Sequence, residues 1–559
     1  MPKFAAVPSI FPKLQELRKS KTAVFKNNKY LKETTILRYY QVVGSIHMML
    51  LDRMVLGDAC GLGKSLQLIA TYSFLLERDP ELKLLIIGPK SASYQWQEEF
   101  EKFTNGITVR VLTNKYKKET GHEARRLQYE DFTENVLVTN YNPVLEEYDK
   151  FAEILGPKFM VAYDECQAFK NYKTQTHLAC KYLADRAQRT YGLSATIIKN
   201  GLEEVWGIFS VIVPGLFGNI TSFRKAYCKQ KMMDLVIKGK KRKIPKTVGY
   251  KNLKQFKEVL DPYFLIRKKE EVASELPKLI SKKVVLDMLP EQAKLYREAL
   301  SGIFYEEKIK NEFYEISDIV RAGADDEKTI KKYEELRVKY EEFLTPDGAK
   351  KGKLAALTYC QMISNGPQLL KEPYASSKED EFVRLMRDEL IAEKVIVYTR
   401  FRSGIPALEV LCNRNKINYT QIHGGVISDY DRQQSRLKFQ NDPNCNVIFI
   451  TQAGSAALNL QSASVLIFYD TPWSYGDLVQ TIGRAQRIGS LREHIVIMHL
   501  VNKGTIDERV LTRVTDKKDL SDTVLGETAT GALDFSEIDL QDNVIEGLFS
   551  DLMEDAGKI

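Results

Sequence analysis

The sequence has no long apolar run and few residues of the kinds that build metal sites. Among its 559 residues no stretch of about 18 consecutive apolar side chains occurs, so no transmembrane helix is expected. The opening residues MPKFAAVPSIFPK lack the long apolar core of a secretory signal. Seven widely spaced cysteines form no CxxC pair, and six histidines form no cluster with ligand spacing. These absences argue against a structural zinc site and predict free thiols in a reducing compartment.

Apolar runs alternate with amphipathic stretches in two parts of the chain, residues 37–199 and 376–514. The first part contains LLIIG at 84–88 and FMVAYD at 159–164, and the second contains SVLIFYD at 464–470. Continuous apolar strands that alternate with helices are typical of a parallel sheet with helices on both faces. The sequence therefore predicts an α/β protein with two such units.

Four further segments differ in charge. Residues 1–36 are a basic lead-in, residues 200–289 are interpreted as a helical and basic insertion, residues 290–375 as a charged helical protrusion and linker, and residues 515–559 as an acidic tail. The tail has 12 acidic and 3 basic residues, a net charge of −9, whereas the whole chain has +8. The preceding residues therefore carry +17, which is typical of a protein that binds nucleic-acid phosphates.

A glycine-rich turn, DACGLGKS at 58–65, follows the apolar run MVLG and precedes an amphipathic stretch. Backbone N–H groups of such a turn can surround phosphate oxygens, and the helix N-terminus adds its positive dipole end. Lys64 can reach the β- and γ-phosphates, and the Ser65 hydroxyl can bind Mg²⁺. The strict pattern requires glycine where Asp58 stands, so a chance glycine-rich turn is the alternative. The predicted nucleotide contacts in this turn are Gly61, Leu62, Gly63, Lys64 and Ser65.

Two adjacent carboxylates, Asp164 and Glu165, follow the apolar run FMVAY. Asp164 is suited to hold Mg²⁺, and Glu165 to orient or deprotonate the attacking water. A solvated turn is the alternative for this pair alone, but together with the glycine-rich turn it predicts hydrolysis of a nucleoside triphosphate. The small hydroxyl residues Ser194 and Thr196, in GLSAT, are candidates for coupling the γ-phosphate region to motion, although a strand-end turn explains them equally well.

The second α/β unit has no phosphate loop and instead contains QTIGRAQR at 480–487. On a helix, Gln480, Arg484 and Arg487 fall on one face. The two arginines could pair with acids, or they could act as fingers on a nucleotide held by the first unit. An arginine finger contributes a factor of about 10³–10⁵ in rate.

These motifs, in this order, resemble those of the Swi/Snf-type branch of the superfamily-two ATPases. DACGLGKS is similar to the family's DEMGLGKT, and DECQAFKN at 164–171 to its DEAHRIKN. GLSATIIKNGLEEVW at 192–206 and DTPWSYGDLVQTIGRAQRIGS at 470–490 also resemble family motifs, and the likeness covers about residues 36–512. The resemblance implies two tandem RecA-like P-loop lobes with helical insertions between them. It also implies ATP and Mg²⁺ as cofactors, with Gln41 reading adenine and Gln480 contacting the nucleotide.

The resemblance implies an ATP-dependent translocase on double-stranded DNA that remodels branched DNA or displaces bound protein. Lys64, Asp164, Glu165, Arg484 and Arg487 would be its catalytic residues. A strand-separating DNA or RNA helicase and a nucleotide-gated DNA-binding scaffold with little hydrolysis are the alternatives. A faint likeness of FRKAYCKQ to the annealing-helicase branch suggests fork remodelling. The expected protein is a minimal microbial or viral motor, monomeric on DNA, without membrane association and cytoplasmic, or nuclear in a eukaryote.

The resemblance further implies contacts with duplex phosphates from both lobes. A helix cap or turn is the alternative for the polar residues, and core packing for the tryptophans. The implied contacts are Lys90, Ser91, Trp96, Thr139, Asn140, Tyr141, Arg400, His423, Gly424, Thr451 and Trp473. The basic cluster around Lys240, Lys241, Arg242 and Lys243 is interpreted as a DNA-binding loop, with a solvated loop or a nuclear-import patch as alternatives.

Several positions depart from the family pattern. Ser455 and Ala457 add side chains where the family has glycine, and Cys166 and Gln167 replace its Ala-His. The catalytic residue types are retained, so activity is expected, with a changed efficiency of coupling. The acidic tail is interpreted either as a solvated end or as a gate that competes with DNA or docks a protein partner.

Overall fold

The structure, a computed structural model, contains two parallel β-sheets, a β-hairpin and a helical protrusion. It describes residues 7–112, 131–195, 197, 201–237, 240–272, 276–301, 303–321, 326–343, 346–425, 429–452, 458–487, 490, 492–514 and 537–539.

The strands, in chain order, are β1 (Arg53–Leu56), β2 (Lys83–Gly88), β3 (Val109–Val111), β4 (Val136–Asn140), β5 (Phe159–Asp164), β6 (Arg189–Leu193), β7 (Cys228–Ile237), β8 (Lys240–Lys251), β9 (Phe264–Leu265), β10 (Lys278–Leu286), β11 (Val395–Tyr398), β12 (Tyr419–Ile422), β13 (Val447–Ile450), β14 (Val465–Phe468), β15 (His494–Asn502) and β16 (Glu537–Asp539). The helices of the first half are α1 (Val7–Lys19), α2 (Tyr39–Leu50), α3 (Lys64–Arg78), α4 (Ser93–Phe103), α5 (Tyr141–Leu155), α6 (Gln175–Arg186), α7 (Leu202–Ile212), α8 (Ile220–Tyr227), α9 (Leu253–Leu260) and α10 (Lys269–Val272). Those of the second half are α11 (Pro290–Leu300), α12 (Ile303–Arg321), α13 (Glu327–Phe343), α14 (Pro346–Asn365), α15 (Ser377–Arg384), α16 (Ile405–Arg414), α17 (Asp429–Asn441) and α18 (Tyr475–Ala485).

The first lobe is built on a seven-stranded parallel sheet in the order β3-β4-β2-β5-β6-β1-β9. Its central strands are apolar throughout because helices cover both faces of the sheet. In β2, Leu85 and Ile87 enter a cluster with Phe151 of α5, whereas Leu84 and Ile86 enter another cluster with residues of α3 and α4. The polar turns that follow these strands are therefore aligned along one edge of the sheet, where ligands of such folds bind.

The second lobe is built on a six-stranded parallel sheet in the order β10-β15-β14-β11-β13-β12. Alternate residues of β11 again enter separate clusters, Val395 and Val397 on one face and Ile396 and Tyr398 on the other. The predicted pair of α/β lobes is confirmed by these two sheets.

The insertion expected to be helical over 200–289 contains strands as well as helices. Its basic cluster lies on β8, which forms an antiparallel hairpin with β7. Farther along, β9 joins the edge of the first sheet beside β1, and β10 joins the edge of the second beside β15. Most residues of β10 are exposed, and β9 is two residues long. Neither strand therefore produces the apolar run that marks the central strands, which is why the prediction missed them.

The cluster Lys240–Lys243 was predicted to be a loop, and the structure corrects this. In the hairpin, Lys240 is opposite Ile237 and Lys243 is opposite Asp234. The edge of β8 that does not face β7 pairs antiparallel with β16 of the acidic tail, with Glu537 opposite Lys251. The rest of the tail lies outside the described residues.

Residues 290–375 contain α11 to α14 and then enter the second lobe. All seven cysteines are buried free thiols. Among the described residues, no helix combines the length and the apolar character needed to cross a bilayer.

Candidate active site between the lobes

The glycine-rich turn 58–65 connects β1 to α3 and has a backbone that requires glycine at two positions. Gly61 and Gly63 have φ angles of +91° and +76°, in the left-handed region. A Cβ atom at Gly61 would lie 2.8 Å from the carbonyl oxygen of Gln486, and one at Gly63 would lie 2.5 Å from Nε2 of Gln41. The turn can therefore hold this shape, with α3 beginning at Lys64, only because both side chains are absent. It forms the anion-binding end of a helix, and we call it the phosphate loop.

Polar side chains hold the phosphate loop from the first lobe. Lys64 Nζ donates a hydrogen bond to the carbonyl oxygen of Asp58 at 2.8 Å. The buried Gln41 accepts from the backbone N–H of Arg38 at 2.9 Å and donates from Nε2 to the carbonyl of Leu62 at 3.2 Å. The structure thus places Gln41 against the phosphate loop, and its adenine contact stays a prediction.

Asp58, the residue that departs from the strict phosphate-loop pattern, forms a buried ion pair with Arg267. The carboxylate is fully buried, and Arg267 Nε donates to Oδ1 at 2.8 Å while Nη2 donates to Oδ2. Gln67 of α3 donates to the same carboxylate at 2.9 Å and accepts from Arg267 at 2.8 Å. Arg267 also donates to the carbonyl of Tyr40. The acidic residue therefore connects the phosphate loop, α2, α3 and the chain that leaves the first lobe.

The predicted metal carboxylate Asp164 lies at the end of β5 beside the phosphate loop. Its Oδ2 accepts a hydrogen bond from Trp96 Nε1 at 3.1 Å, and its carbonyl accepts one from the Tyr141 hydroxyl at 2.8 Å. Burial and the neighbouring carboxylate of Glu165 raise the pKa of Asp164 to about 6. A carboxylate held in this way is stabilised when a cation binds it.

Glu165 adopts a left-handed conformation, with φ of +53°, which is rare for a residue with a side chain. Its Oε2 accepts a hydrogen bond from Gln167 Nε2 at 2.6 Å, and Gln167 Oε1 accepts one from the Ser194 hydroxyl at 2.6 Å. The residue that replaces the family's histidine therefore links Glu165 to the coupling candidate Ser194. Thr196 lies outside the described residues.

The second lobe reaches this site through α18. Gln480 Nε2 donates to Glu165 Oε2 at 3.2 Å, so a side chain of the second lobe contacts the predicted base in the first. Gly483 allows this approach, because a Cβ there would lie 2.5 Å from Cβ of Cys60 in the phosphate loop. The helix ends at Ala485, so Arg487 is not on the face predicted for it. Instead it lies in the following turn, and its Nε donates back to the carbonyl of Gly483 at 3.1 Å.

The two arginines place positive charge at this site, and one of them has an Nε atom without a hydrogen-bond partner in the part of the chain that the structure describes. Arg484 is 3% exposed, and its Nε has no hydrogen-bond partner among the described residues. Burial and the adjacent Arg484 lower the pKa of Arg487 to about 10. Such a pair is stabilised by an anion with several oxygens. The side chains present therefore fit a nucleoside triphosphate between the lobes, and the carboxylates fit its Mg²⁺.

The first-lobe residues implied to contact DNA are mostly buried. Trp96 and Thr139 are 3% and 1% exposed, and Trp96 is bonded to Asp164. Asn140 caps α5 by accepting from the N–H of Asn142. Tyr141 is bonded to the backbone of Asp164. Trp96 and Thr139 are therefore buried in this structure, and their duplex contact stays a prediction. Lys90 and Ser91 lie in a short 3₁₀ helix that precedes α4.

The implied DNA contacts of the second lobe differ in how far their side chains are exposed to solvent. Arg400 and Gly424 are exposed, His423 is half-buried, and Thr451 is only 5% exposed. The half-buried Trp473 donates to Gln361 at 3.1 Å, and the Arg400 guanidinium, which also donates to Gln361, lies 5.7 Å from the indole centre. Ser455 and Ala457 lie outside the described residues.

Family models match both lobes of this fold. The SNF2-related domain matches residues 40–341, and the helicase conserved C-terminal domain matches residues 377–489. The first match covers more than half of the chain and includes the phosphate loop and both carboxylates. The chain belongs to the SNF2-related family. Its two matched domains place it in the Swi/Snf type of superfamily two.

This SNF2-related chain spans less than half the length of the first curated relatives it matches. Human "DNA excision repair protein ERCC-6-like" is 23% identical over 521 residues, covering 87% of this chain and 41% of the relative. An "Uncharacterized ATP-dependent helicase" of Mycoplasma pneumoniae is 26% identical over 524 residues, covering 92% and 45%. A solved "Sulfolobus solfataricus SWI2/SNF2 ATPase core in complex with dsDNA" is 22% identical, with a TM-score of 0.38, covering 90% of this chain and 96% of that one.

Replacing Glu165 with Gln should lower ATP turnover by about 10²–10⁴, the range for loss of a general base, and leave ATP binding intact. Lys64→Ala should instead weaken ATP binding itself. Steady-state hydrolysis and binding of a fluorescent ATP analogue separate the two effects. Glu153→Gln, at an exposed position, is the control and should change neither. Normal turnover by Glu165→Gln would show that this carboxylate is not the base.

Asp58→Asn should destabilise the first lobe by about 3–5 kcal/mol, because it leaves the Arg267 charge buried without its partner. Asp52→Asn is the matched control, since Asp52 is 67% exposed and pairs with Arg189 at 3.0 Å. That surface pair should contribute only about 0–1 kcal/mol. Denaturant unfolding followed by tryptophan fluorescence gives both values. If both variants lost the same free energy of unfolding, the structural role of the buried pair would be refuted.

Proposed function

We propose that this SNF2-related ATPase is a translocase on double-stranded DNA that uses ATP hydrolysis to remodel branched DNA or displace bound protein. The observation that carries the proposal is the hydrogen bond from Gln480 in the second lobe to Glu165 in the first. Because the hydrolytic site includes groups from both lobes, it is complete only when they are together. Hydrolysis is thereby coupled to relative motion of two sheets, as a motor requires.

Within the proposed site, Ser65 and Asp164 would hold Mg²⁺, and the phosphate loop with Lys64 would hold the β- and γ-phosphates. Bound Mg²⁺ supplies charge neutralisation during phosphoryl transfer. Glu165 would orient the attacking water, with its carboxylate fixed by Gln167. Arg484 and Arg487 would stabilise charge that develops on the transferring group.

A second interlobe contact supports lobe closure and lies away from the nucleotide. Glu98 of α4 accepts hydrogen bonds from Gln433 at 2.7 Å and from Arg436 of α17 at 3.1 Å. The same helix carries Trp96, which is bonded to Asp164. Closure of the lobes at α4 is thus connected through one rigid helix to the predicted metal carboxylate.

Duplex DNA is proposed as the substrate because the chain up to the tail is positively charged and because of the names of its relatives. Residues 1–514 carry a net charge of +17, and Arg400 lies exposed on the second lobe. The names of the relatives refer to DNA excision repair and to ATP-dependent helicases. Contacts that are mainly to phosphates would not depend on base sequence.

ATP turnover should rise many-fold with duplex or branched DNA and much less with single strands. Rates measured side by side with duplex, single-stranded, forked and four-way DNA test this. Stimulation by single strands together with unwinding of a tailed duplex would favour a strand-separating helicase. Little hydrolysis with every DNA, although ATP and DNA both bind, would favour a nucleotide-gated scaffold.

Reversing either partner of the interlobe ion pair, Glu98→Arg or Arg436→Glu, should reduce DNA-stimulated turnover, because like charges then oppose closure. The double reversal should restore most of the activity. The effect of each single change is expected near about 1 kcal/mol, a factor of about five, because the pair is partly exposed. Arg384→Glu, in an exposed intralobe pair with Glu381, controls for charge alone. If the losses of DNA-stimulated turnover in the two single variants simply add in the double variant, this contact does not contribute to closure of the lobes.

A further inference from the structure

The chain between the lobes passes between the phosphate loop and the turn that carries the arginines. We call residues 265–272 together with 276–277 the junction segment and residues 484–487 the finger turn. The backbone N–H groups of Gly57 and Ala59 donate to the carbonyls of Leu265 and Arg267 at 2.7 and 3.1 Å. The junction segment therefore begins as an extension of the first sheet along the phosphate loop.

Two neighbouring basic residues of the junction segment point to different lobes. Arg267 binds the Asp58 carboxylate of the phosphate loop, as described above. Two residues later, Lys269 Nζ donates to the side-chain Oε1 of Gln486 at 2.7 Å and to its carbonyl at 3.2 Å. Lys269 and Gln486 are 8% and 7% exposed, so these bonds form away from solvent, where an unmatched ammonium group is costly.

The finger turn is also held from the far end of the junction segment and by the phosphate loop itself. Gln486 Nε2 donates to the carbonyl of Pro277 at 2.8 Å. Its own carbonyl lies against Gly61, where a Cβ would be 2.8 Å away. Gln486 is therefore enclosed by the junction segment and the phosphate loop, and it directly precedes Arg487. The Gln486 side chain is bonded to Lys269 and to the carbonyl of Pro277, and these bonds hold the finger turn against the junction segment.

We propose that Arg267 and Lys269 are positioning residues that hold the phosphate loop and the finger turn in register. Arg267 sets the place of the phosphates through Asp58, and Lys269 sets the place of Arg484 and Arg487 through Gln486. Because the two side chains are two residues apart on one short segment, the spacing between the halves of the site is fixed locally. This inference rests on ATP hydrolysis at the interlobe site and does not require translocation on DNA.

Each positioning residue should give a different kinetic signature. Lys269→Met should lower kcat by about 10²-fold, the loss typical of a misplaced catalytic group, and leave the Kd for ATP unchanged. Arg267→Lys should raise the Kd for ATP by about tenfold, because lysine cannot reproduce the bidentate contact that shapes the phosphate loop. Lys278→Met is the control, since it removes the same charge from an exposed position at the end of the same segment.

Turnover with and without duplex DNA and binding of a fluorescent ATP analogue, all on the full chain, provide the test. An unchanged kcat in Lys269→Met would overturn the proposal. Parallel loss of ATP affinity and kcat in that variant would also overturn it, because it would indicate general disruption of the fold. Absence of DNA stimulation in the unmodified chain would instead refute the proposed translocase and leave this test of basal hydrolysis valid.

Discussion

The concentration of charge of one sign on each lobe is the constraint on which the site depends. The first lobe contributes Asp164 and Glu165 at the end of β5, and the second contributes Arg484 and Arg487 near the end of α18. Burial and the neighbouring Glu165 raise the pKa of Asp164, and burial and the neighbouring Arg484 lower the pKa of Arg487. Direct contact between the pairs would neutralise them without nucleotide, yet Glu165 is bonded to Gln167 and Gln480, and Arg487 to a backbone carbonyl. Arg487 is also attracted by the carboxylates of Glu99 and Asp164. We propose that a metal–triphosphate complex completes the site.

The carboxylate pair is tied to surfaces that lie beyond the nucleotide. Trp96 and Tyr141 resemble DNA-contacting residues of the family, but here both donate hydrogen bonds to Asp164. The same helix as Trp96 bears Glu98, which binds the second lobe. Movement of α4 would therefore be transmitted both to the Asp164 carboxylate and to the contact with the second lobe.

The sequence predicted the parts of the molecule in which a continuous apolar run forms a buried strand. The central strands of both sheets, the phosphate loop and the acidic pair at the end of β5 all follow from apolar runs that end in polar turns. It failed where strands lie at sheet edges, as in β10, because exposed edge strands need no apolar run. It also missed Arg267 and Lys269, since their partners are more than 200 residues away in sequence. Only the likeness of IRKKEEVASELPK at 266–278 to the family's arginine-rich junction marked the segment.

Departures from the family pattern acquire a physical meaning once their contacts are known. Asp58 stands where the strict phosphate-loop pattern has glycine, and its carboxylate anchors Arg267 and so connects the loop to the junction segment. Gln167, in place of histidine, offers both a donor and an acceptor with no dependence on pH, and uses one toward Glu165 and the other toward Ser194. A histidine could fill both roles only as the neutral tautomer. Gln167 therefore links Glu165 to Ser194 at the end of β6 without any sensitivity to protonation.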